Sequence, residues 1–598
     1  MKVTNQEVSK ILYEIGEFLE MKEVAFKPRA YEKAGYSIEN LEEEVSEIYK
    51  RGELKAVEDI PGIGVSIALK IEELIKTGRS KYYERLKKSL PIKVGELSSI
   101  EGIGPKMIFK LYKKLKVKNI KDLEKAARAG KVAKLPGFGE KTQEKILKGI
   151  EFLRKSNGRF LLGNILPLAR AFEDRLKNLK EIDRVAVAGS IRRMQETIGD
   201  LDILVTSEKP KKVMNFFVSM PEVSHVYSRG ETKTMVRLKN GMDADLRVVP
   251  DKSFGAALQY FTGDKRHNIT LRALAERKGF KLNEYGLFKI GNSDAREGRS
   301  PDRKRRGKLI AGKTEEEIYK ALDMETPPPE IRNDSGEIQA ALRQAQGKPG
   351  GLPKLIGYND IRGDLQVTTN WTDGENSIEE MAEAAQKFGL EYIAITDHTK
   401  SLAMTGGLNE KKLLKQMAEI DEINSKVKNQ NLKFRILKGA EVNILKDGSL
   451  DIRDDILAKL DVVGIAVHSH FNLPRAEQTK RIIKAMQNKN ADILFHPTGR
   501  LIQKREPYDV DVEEIIKIAK ATGTILEIDA DPYRLDLKDE YIRKAVEAGV
   551  KLAIDTDAHF SGSFHYLEFG IAQARRGWAM ASDIINSRSW REMLKLLK

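Results

Sequence analysis

The chain has 598 residues and not one cysteine, which excludes structural disulfides and every cysteine-ligated zinc site. No apolar run comes near the ~20 residues that a membrane-spanning helix needs. The first residues, MKVTNQEVSK, lack the apolar stretch of a signal peptide. These absences fit a cytoplasmic protein with no membrane partner. Acid is in short supply: 89 Asp and Glu face 105 Lys and Arg, a net charge of +16 that attracts polyanions such as nucleic acid. The rest is ordinary for a globular protein, with 40% hydrophobic and 32% charged residues. A single core seldom grows past about 250–300 residues, so several domains are expected.

The most informative segment is GSIRRMQETIGDLDILV, Gly189 to Val205. Asp200 and Asp202 stand two apart at the start of an apolar run, and strand side chains two apart share a face, so the carboxylates converge. Paired carboxylates suit Mg²⁺, which takes hard oxygen ligands and keeps positions open for substrate phosphates. Upstream, Gly189-Ser190 makes a small-residue turn open to a triphosphate, with Arg192 and Arg193 adding fixed positive charge. A lone D-x-D more often marks a solvated turn than a metal site. Here two further segments accompany it. Gly241-Met-Asp-Ala-Asp-Leu-Arg-Val-Val249 alternates like a strand and offers a third carboxylate, Asp243 or Asp245. Tyr260-Phe-Thr-Gly-Asp-Lys265 follows, then Asn268, Arg272 and Asn283-Glu-Tyr-Gly286.

In the order and spacing of these segments the chain resembles the family X DNA polymerases, the group containing DNA polymerase beta. With its additional C-terminal domain it looks like the bacterial and archaeal PolX type. The resemblance implies a DNA-directed DNA polymerase, in which a primer 3′-hydroxyl attacks the α-phosphate of a deoxynucleoside triphosphate. Primer–template or gapped DNA is the implied partner, gap filling in repair the implied setting, and a monomer the implied working form. It also implies that Asp200 and Asp202 hold both Mg²⁺ ions, while Asp245, marked out by the Leu-Arg after it, serves only the ion that activates the hydroxyl. Gly189, Ser190, Arg193 and Gly199 fall on the triphosphate side. Tyr260, Phe261 and Gly263 border the sugar, Asn268 reaches the base edge, Arg272 the template side, and Lys265 adds a nucleotide contact.

Three glycine turns punctuate the first 150 residues, 40 and 35 residues apart: Ile60-Pro-Gly-Ile-Gly64, Ile100-Glu-Gly-Ile-Gly104 and Leu135-Pro-Gly-Phe-Gly139. Each precedes a helical pattern with Lys or Arg on its polar side, which is the helix-hairpin-helix arrangement. The pairs Gly62 and Gly64, Gly102 and Gly104, and Gly137 and Gly139 let the backbone turn tightly and leave N–H groups at a helix start for a DNA phosphate. A monovalent cation can sit at such turns. One turn would be weak, since glycine also ends ordinary helices, but three argue for sequence-independent backbone binding. Aligned with polymerase beta on the first turn, Lys70 falls at the lysine that forms a Schiff base with an abasic sugar. Lys27 and Tyr31 fall near the 5′-phosphate pocket with Lys33 close by, and Ser66 replaces a second phosphate-binding lysine of the family. Nucleophilic lysine must be neutral, which requires a lowered pKa. Without that, Lys70 is a solvent-facing DNA contact.

These readings divide the chain at 1–92 (lyase-like helical domain), 93–155 (helix-hairpin-helix domain), 156–252 (palm), 253–325 (nascent-base-pair subdomain), 326–353 (linker) and 354–598. Pro327-Pro-Pro329 and the Gly- and Pro-rich stretch 347–353 bracket the linker. Arg296 to Lys308, seven basic residues among two acids, reads as an exposed loop. Beyond Lys354, short apolar runs repeatedly end in polar residues, as in Tyr392-Ile-Ala-Ile-Thr-Asp-His398 and Val462-Val-Gly-Ile-Ala-Val-His468, with helical patterns between them. Buried parallel strands alternating with helices give a βα-barrel, whose chemistry collects at the strand carboxyl ends. Six of the eight histidines lie in this region.

It resembles a polymerase and histidinol phosphatase (PHP) domain. The resemblance implies that Glu441, His468 and His496 serve one divalent metal, Mn²⁺ or Zn²⁺, and Asp373, His398 and His559 another, with Asp557 a further ligand. The chain departs from the family at Asp364-Leu-Gln-Val-Thr368, where the family writes Asp-Leu-His-x-His, and at Asp529, where Asn is usual. The third metal is therefore expected to be weak or missing, and nuclease activity low or absent. The expected fold class is multidomain α/β: a helical N-terminal region, a polymerase beta-like palm and thumb, and a C-terminal βα-barrel. Two rivals stand beside the polymerase. One is a metal-dependent 3′→5′ exonuclease or phosphoesterase that works through the barrel, and the other is a non-catalytic DNA scaffold built on the glycine turns.

Overall fold

The computed structural model describes the chain except residues 1, 2, 4, 23, 25, 40, 42, 43, 61, 99, 101, 102, 156, 157, 291–306 and 430–433. Gly102 and most of the basic segment 296–308 thus lie outside the described residues. One compact unit runs to Gly158, and a second holds nearly all of the chain from Arg159.

The first unit is helical. Its helix Val65–Thr77 buries Ile67, Ala68, Ile71 and Leu74, the single stripe that a 3.6-residue period aligns, and stops at Gly78 in the left-handed region. Helices Pro105–Leu115 and Gly139–Lys155 follow the other two glycine turns. Residues 1–92 and 93–155, expected as two domains, share one apolar core that joins Leu12 and Phe18 to Ile71, Leu111 and Ile150. Short amphipathic helices cannot bury their faces alone, so the hairpins pool them.

The palm is, among the described residues, a five-stranded sheet in the order Arg184–Val187, Asp200–Thr206, Asp243–Val248, Lys233–Leu238, Val223–Arg229. Asp200–Thr206 begins exposed-buried-intermediate and then stays buried, so Leu201 points to the core and the two carboxylates to the other face. Helices Phe254–Thr262 and Lys265–Arg277 come next, then three short antiparallel strands and the helix Glu315–Ala321, which opens on a Thr314–Glu317 capping box.

Residues 326–353, expected as a linker with few apolar anchors, hold a packed helix. The helix Glu337–Ala345 sets Ile338 and Ala341 into the core of the preceding subdomain, while Ile331 and Ala340 pack with Trp578. The Pro and Gly density concealed this short helix.

The C-terminal region carries, among the described residues, seven parallel strands in chain order, from Gly363–Val367 to Leu552–Asp555. The ends nearly close: Thr368 N donates to Ala558 O at 2.8 Å and Ala558 N to Gln366 O at 3.1 Å. This is the expected barrel, with an apolar interior of Leu365, Tyr392, Leu437, Ile493 and Phe495.

Candidate catalytic centres

In the palm the parallel register sets Asp200 opposite Asp243 and Asp202 opposite Asp245. The side chains of Asp243 and Asp245 differ in what they meet. Asp243 is gripped by Arg237, whose Nε and Nη2 donate to its two oxygens at 2.5 and 3.1 Å. Asp245 is the less exposed, with Lys233 Nζ at 3.0 Å and Arg247 at 3.7 Å. Burial, with Asp200 and Asp245 close by, pushes Asp202 up to about 7, and burial and Asp245 raise Asp200. Carboxylates crowded in this way suit divalent cations, which offset the repulsion. The glycine of the upstream turn is also fixed by this strand. Gly189 has φ +65°, and a Cβ there would lie 2.6 Å from Asp202 Oδ2.

Around the turn, the short helix Gly189–Arg192 leads to Arg193, whose Nη1 donates to Thr262 O at 2.5 Å while its buried Nε finds no partner. Arg192 is committed elsewhere. It donates to Thr262 Oγ1 at 2.7 Å and to both oxygens of Glu315, which the buried Arg332 also grips. The turn is thereby pinned to the next subdomain, with Arg192 committed to that contact and Arg193 keeping an unpartnered Nε. Tyr260 and Phe261 meet edge to face, with Arg247 over the Phe261 ring. Asn268 donates both amide hydrogens, to Tyr260 O at 2.7 Å and Gly263 O at 2.9 Å, and accepts from Gln259. Its amide therefore braces the Tyr260–Gly263 turn. Lys265 and Arg272 are exposed, and Arg272 Nε donates to Asn268 O. Ser190 is half-buried, and a Cβ at Gly199 would meet Arg159 at 3.3 Å.

The barrel gathers its histidines where the strands end. Glu441 Oε1 lies 2.8 Å from His496 Nε2 and 3.0 Å from His468 Nε2. Asp373 lies 3.6 Å from His398 and 4.0 Å from His559. His398 belongs to both sets, because its Nδ1 is 3.0 Å from Glu441 Oε2. Those two atoms are buried and close without hydrogen-bond geometry between them, as ligands converging on a shared ion are. Ring orientation is fixed from outside: His468 Nδ1 donates to Asn443 at 2.8 Å and His559 Nδ1 to Asp557 O at 2.7 Å, leaving each Nε2 to face inward. Burial lowers the His398 pKa, but Glu441 and Asp373 outweigh it and carry the ring to about 9.

The third position does not fit a metal. Gln366 is fully buried, and its amide, oriented as its partners require, donates to Glu527 Oε1 at 2.6 Å. Thr368 offers only a buried hydroxyl without a partner. Arg534 lies beside Asp529 and Asp557, at 3.4 and 3.5 Å, and brings a fixed positive charge there.

In the helical unit Gly62 takes φ +81°, and Gly64 and Gly104 are extended caps with open space where a Cβ would stand. The third turn differs: both Gly137 and Gly139 have positive φ, and the helix starts at Gly139 itself. Lys70 Nζ donates to Ser66 O at 2.7 Å and lies over the Tyr82 and Tyr31 rings. Burial and the nearby Lys27 lower its pKa. Sequence reading missed the groups that act across longer separations: Lys233 beside Asp245, Glu315 on Arg192, and Asn443 behind His468. None carries a local signal, since each meets its partner only in the folded chain.

Residues 3–80 match the helix-hairpin-helix domain family, 94–151 the SAM-like helix-hairpin-helix tandem, 257–333 the DNA polymerase beta thumb and 364–560 the PHP domain. The chain is 36% identical over 596 residues, 99% of each protein, to a protein of Bacillus subtilis (strain 168) named DNA polymerase/3′-5′ exonuclease PolX. Over 196 residues, 31% of this chain and 74% of the relative, it is 33% identical to a probable phosphatase of Thermoanaerobacter sp. (strain X514). A probable phosphatase of Acetivibrio thermocellus is 27% identical over 194 residues, again 31% of this chain and 74% of the relative. Among the described residues no helix is long and apolar enough to cross a membrane.

Proposed function

The chain belongs to the PolX family, the family X DNA polymerases that carry a C-terminal PHP domain, and from that premise we propose that it extends primer 3′ ends in gapped DNA from the palm centre. The observation that carries the reading is the register that sets Asp202 against Asp245, with Asp200 one step away and the Gly189 turn against Asp202. Asp200, Asp202 and Asp245 would hold Mg²⁺, which when bound supplies Lewis-acid activation of the 3′-hydroxyl and neutralises triphosphate charge. Gly189 and Ser190 admit the phosphates because no side chain beyond a hydroxyl stands in the way. Arg193 binds the triphosphate through the guanidinium edge that its bond to Thr262 leaves over. Tyr260 and Phe261 form the wall for the sugar, and Asn268 holds that wall in place. The extended glycine caps and the +16 charge support a grip on the DNA backbone that ignores sequence.

The test is primer extension on a gapped duplex by the wild type and by the Asp200→Ala, Asp202→Ala double variant, with DNA binding measured in parallel. The double variant should bind DNA and add no nucleotide. Normal extension by it would refute the reading.

A second activity is favoured by one observation, the two ligand sets that share His398 in the barrel. They support Mn²⁺- or Zn²⁺-dependent trimming of 3′ ends. With Gln366, Thr368 and Arg534 at the third position, trimming is slow beside extension.

A further inference from the structure

Resting on the polymerase reading above, the structure points to a role for the barrel in nucleotide binding. We propose that Arg576 and Arg500 of the barrel are positioning residues that hold the loop Arg193–Gly199 of the palm in its nucleotide-binding shape.

That loop runs from the triphosphate arginine to the first carboxylate strand. On its palm side it is closed by Gln195 N donating to Ser190 O at 3.0 Å and by Leu162 N donating to Glu196 O at 3.1 Å. Met194 sits at φ +50°, an uncommon conformation for a residue with a side chain. The loop's outward groups are satisfied by the barrel. Arg576, whose side chain is fully buried, donates to Met194 O and is itself held by Gln573 and by Asp539 at 3.2 Å. Arg500 donates to Glu196 and to Leu535 O. Without these two guanidiniums, Met194 O and the partly buried Glu196 carboxylate would lose their charged donors, and the loop would turn outward to reach solvent.

The surrounding surface is built for close approach. Leu535, Phe569 and Ala572 of the barrel belong to the palm's own apolar core, and a Cβ at Gly163 would lie 2.5 Å from Pro532. The clamps therefore sit on a packed, largely buried interface, where charge-assisted hydrogen bonds are strong.

The experiment measures KM for the incoming nucleotide and kcat on a one-nucleotide gap with the full-length protein. Glu196→Gln takes the charge out of one clamp from the palm side without creating a cavity, Arg576→Met removes the other, and Arg576→Lys restores a donor. Arg170→Gln cuts a solvent-exposed ion pair to Glu568 on the same interface, away from the loop. We expect Glu196→Gln and Arg576→Met to raise KM about tenfold. In both, kcat stays within about twofold, Arg576→Lys recovers part of the loss, and Arg170→Gln leaves KM unchanged. An unchanged KM in Glu196→Gln overturns the proposal even if Arg576→Met fails to fold. An equal rise in Arg170→Gln also overturns it, since any loosened interface would then suffice. A wild type that extends no primer would overturn the polymerase reading itself.

Discussion

Replacing Asp245 by Ala should cost far more polymerase rate than replacing Asp243, although the two share one face of one strand. Asp243 sits in an ion pair open to solvent, with Arg237 and Asp243 side chains 42% and 43% exposed. Such pairs contribute about 0–1 kcal/mol. At about 1.4 kcal/mol per factor of ten, its loss lowers the rate at most about fivefold. Asp245 is only 18% exposed, lies across from Asp202, and is flanked by Lys233 and Arg247. Its removal takes one of three carboxylates from a centre that works through charge, where losing a single electrostatic contributor typically costs about 10²–10³ in rate. It also frees Lys233 to pair with Asp202, which places an ammonium where a divalent cation should be. The two variants should therefore differ by at least about twentyfold, the ratio of these two estimates. The assay is single-turnover extension on a one-nucleotide gap across a Mg²⁺ titration, with DNA affinity and melting temperature checked for each variant. Equal losses, or a larger loss in Asp243→Ala, would refute the reasoning and move the catalytic register by two residues.

Three further outcomes are expected. Because Asp202 titrates near 7 in the folded protein against an ordinary 3.8, the metal-free fold keeps a proton that the unfolded chain has lost. The stability tied to that proton is present below about pH 4 and is lost as pH rises through about 7. The rise in melting temperature given by Mg²⁺ should therefore grow between pH 5 and pH 7.5 more in the wild type than in Asp202→Asn, and identical pH profiles would contradict the assignment. In the barrel, Gln366→His with Thr368→His should raise the bound-metal count measured by elemental analysis, while the wild type trims primers slowly with Mn²⁺ and His468→Ala not at all; trimming as fast as extension would show the third position to be dispensable. Lys70, with its pKa lowered by burial and Lys27, should be trapped on incised abasic DNA by borohydride, and trapping that persists in Lys70→Ala would remove it as the nucleophile.

Much of this was legible in the sequence because it rests on period. Asp200 and Asp202 share a face by the two-residue repeat of a strand, and the barrel's histidines announce themselves by ending short apolar runs. Period could not choose between Asp243 and Asp245, which lie on the same face. The choice is made by Arg237, a residue of the neighbouring strand whose register the sequence does not print. Nor could it show that His398 joins both barrel sets, which follows from how strands 43 residues apart meet (398 to 441). Arg576 and Met194 are 382 residues apart, and nothing in either neighbourhood points to the other. Asn268 is the reverse case: it was expected to reach a base edge, but its amide is used inside the turn.

The shared core has a consequence for how such a chain can drift over generations. Phe569, Ala572 and Leu535 are buried among palm residues such as Leu166 and Phe172, so they answer to selection on the palm whatever the barrel does. The barrel's metal ligands are under no such obligation. Ligand positions could change one at a time while the outer helices that face the palm remain fixed. A lineage of this kind can discard a nuclease and still be unable to discard the domain that housed it.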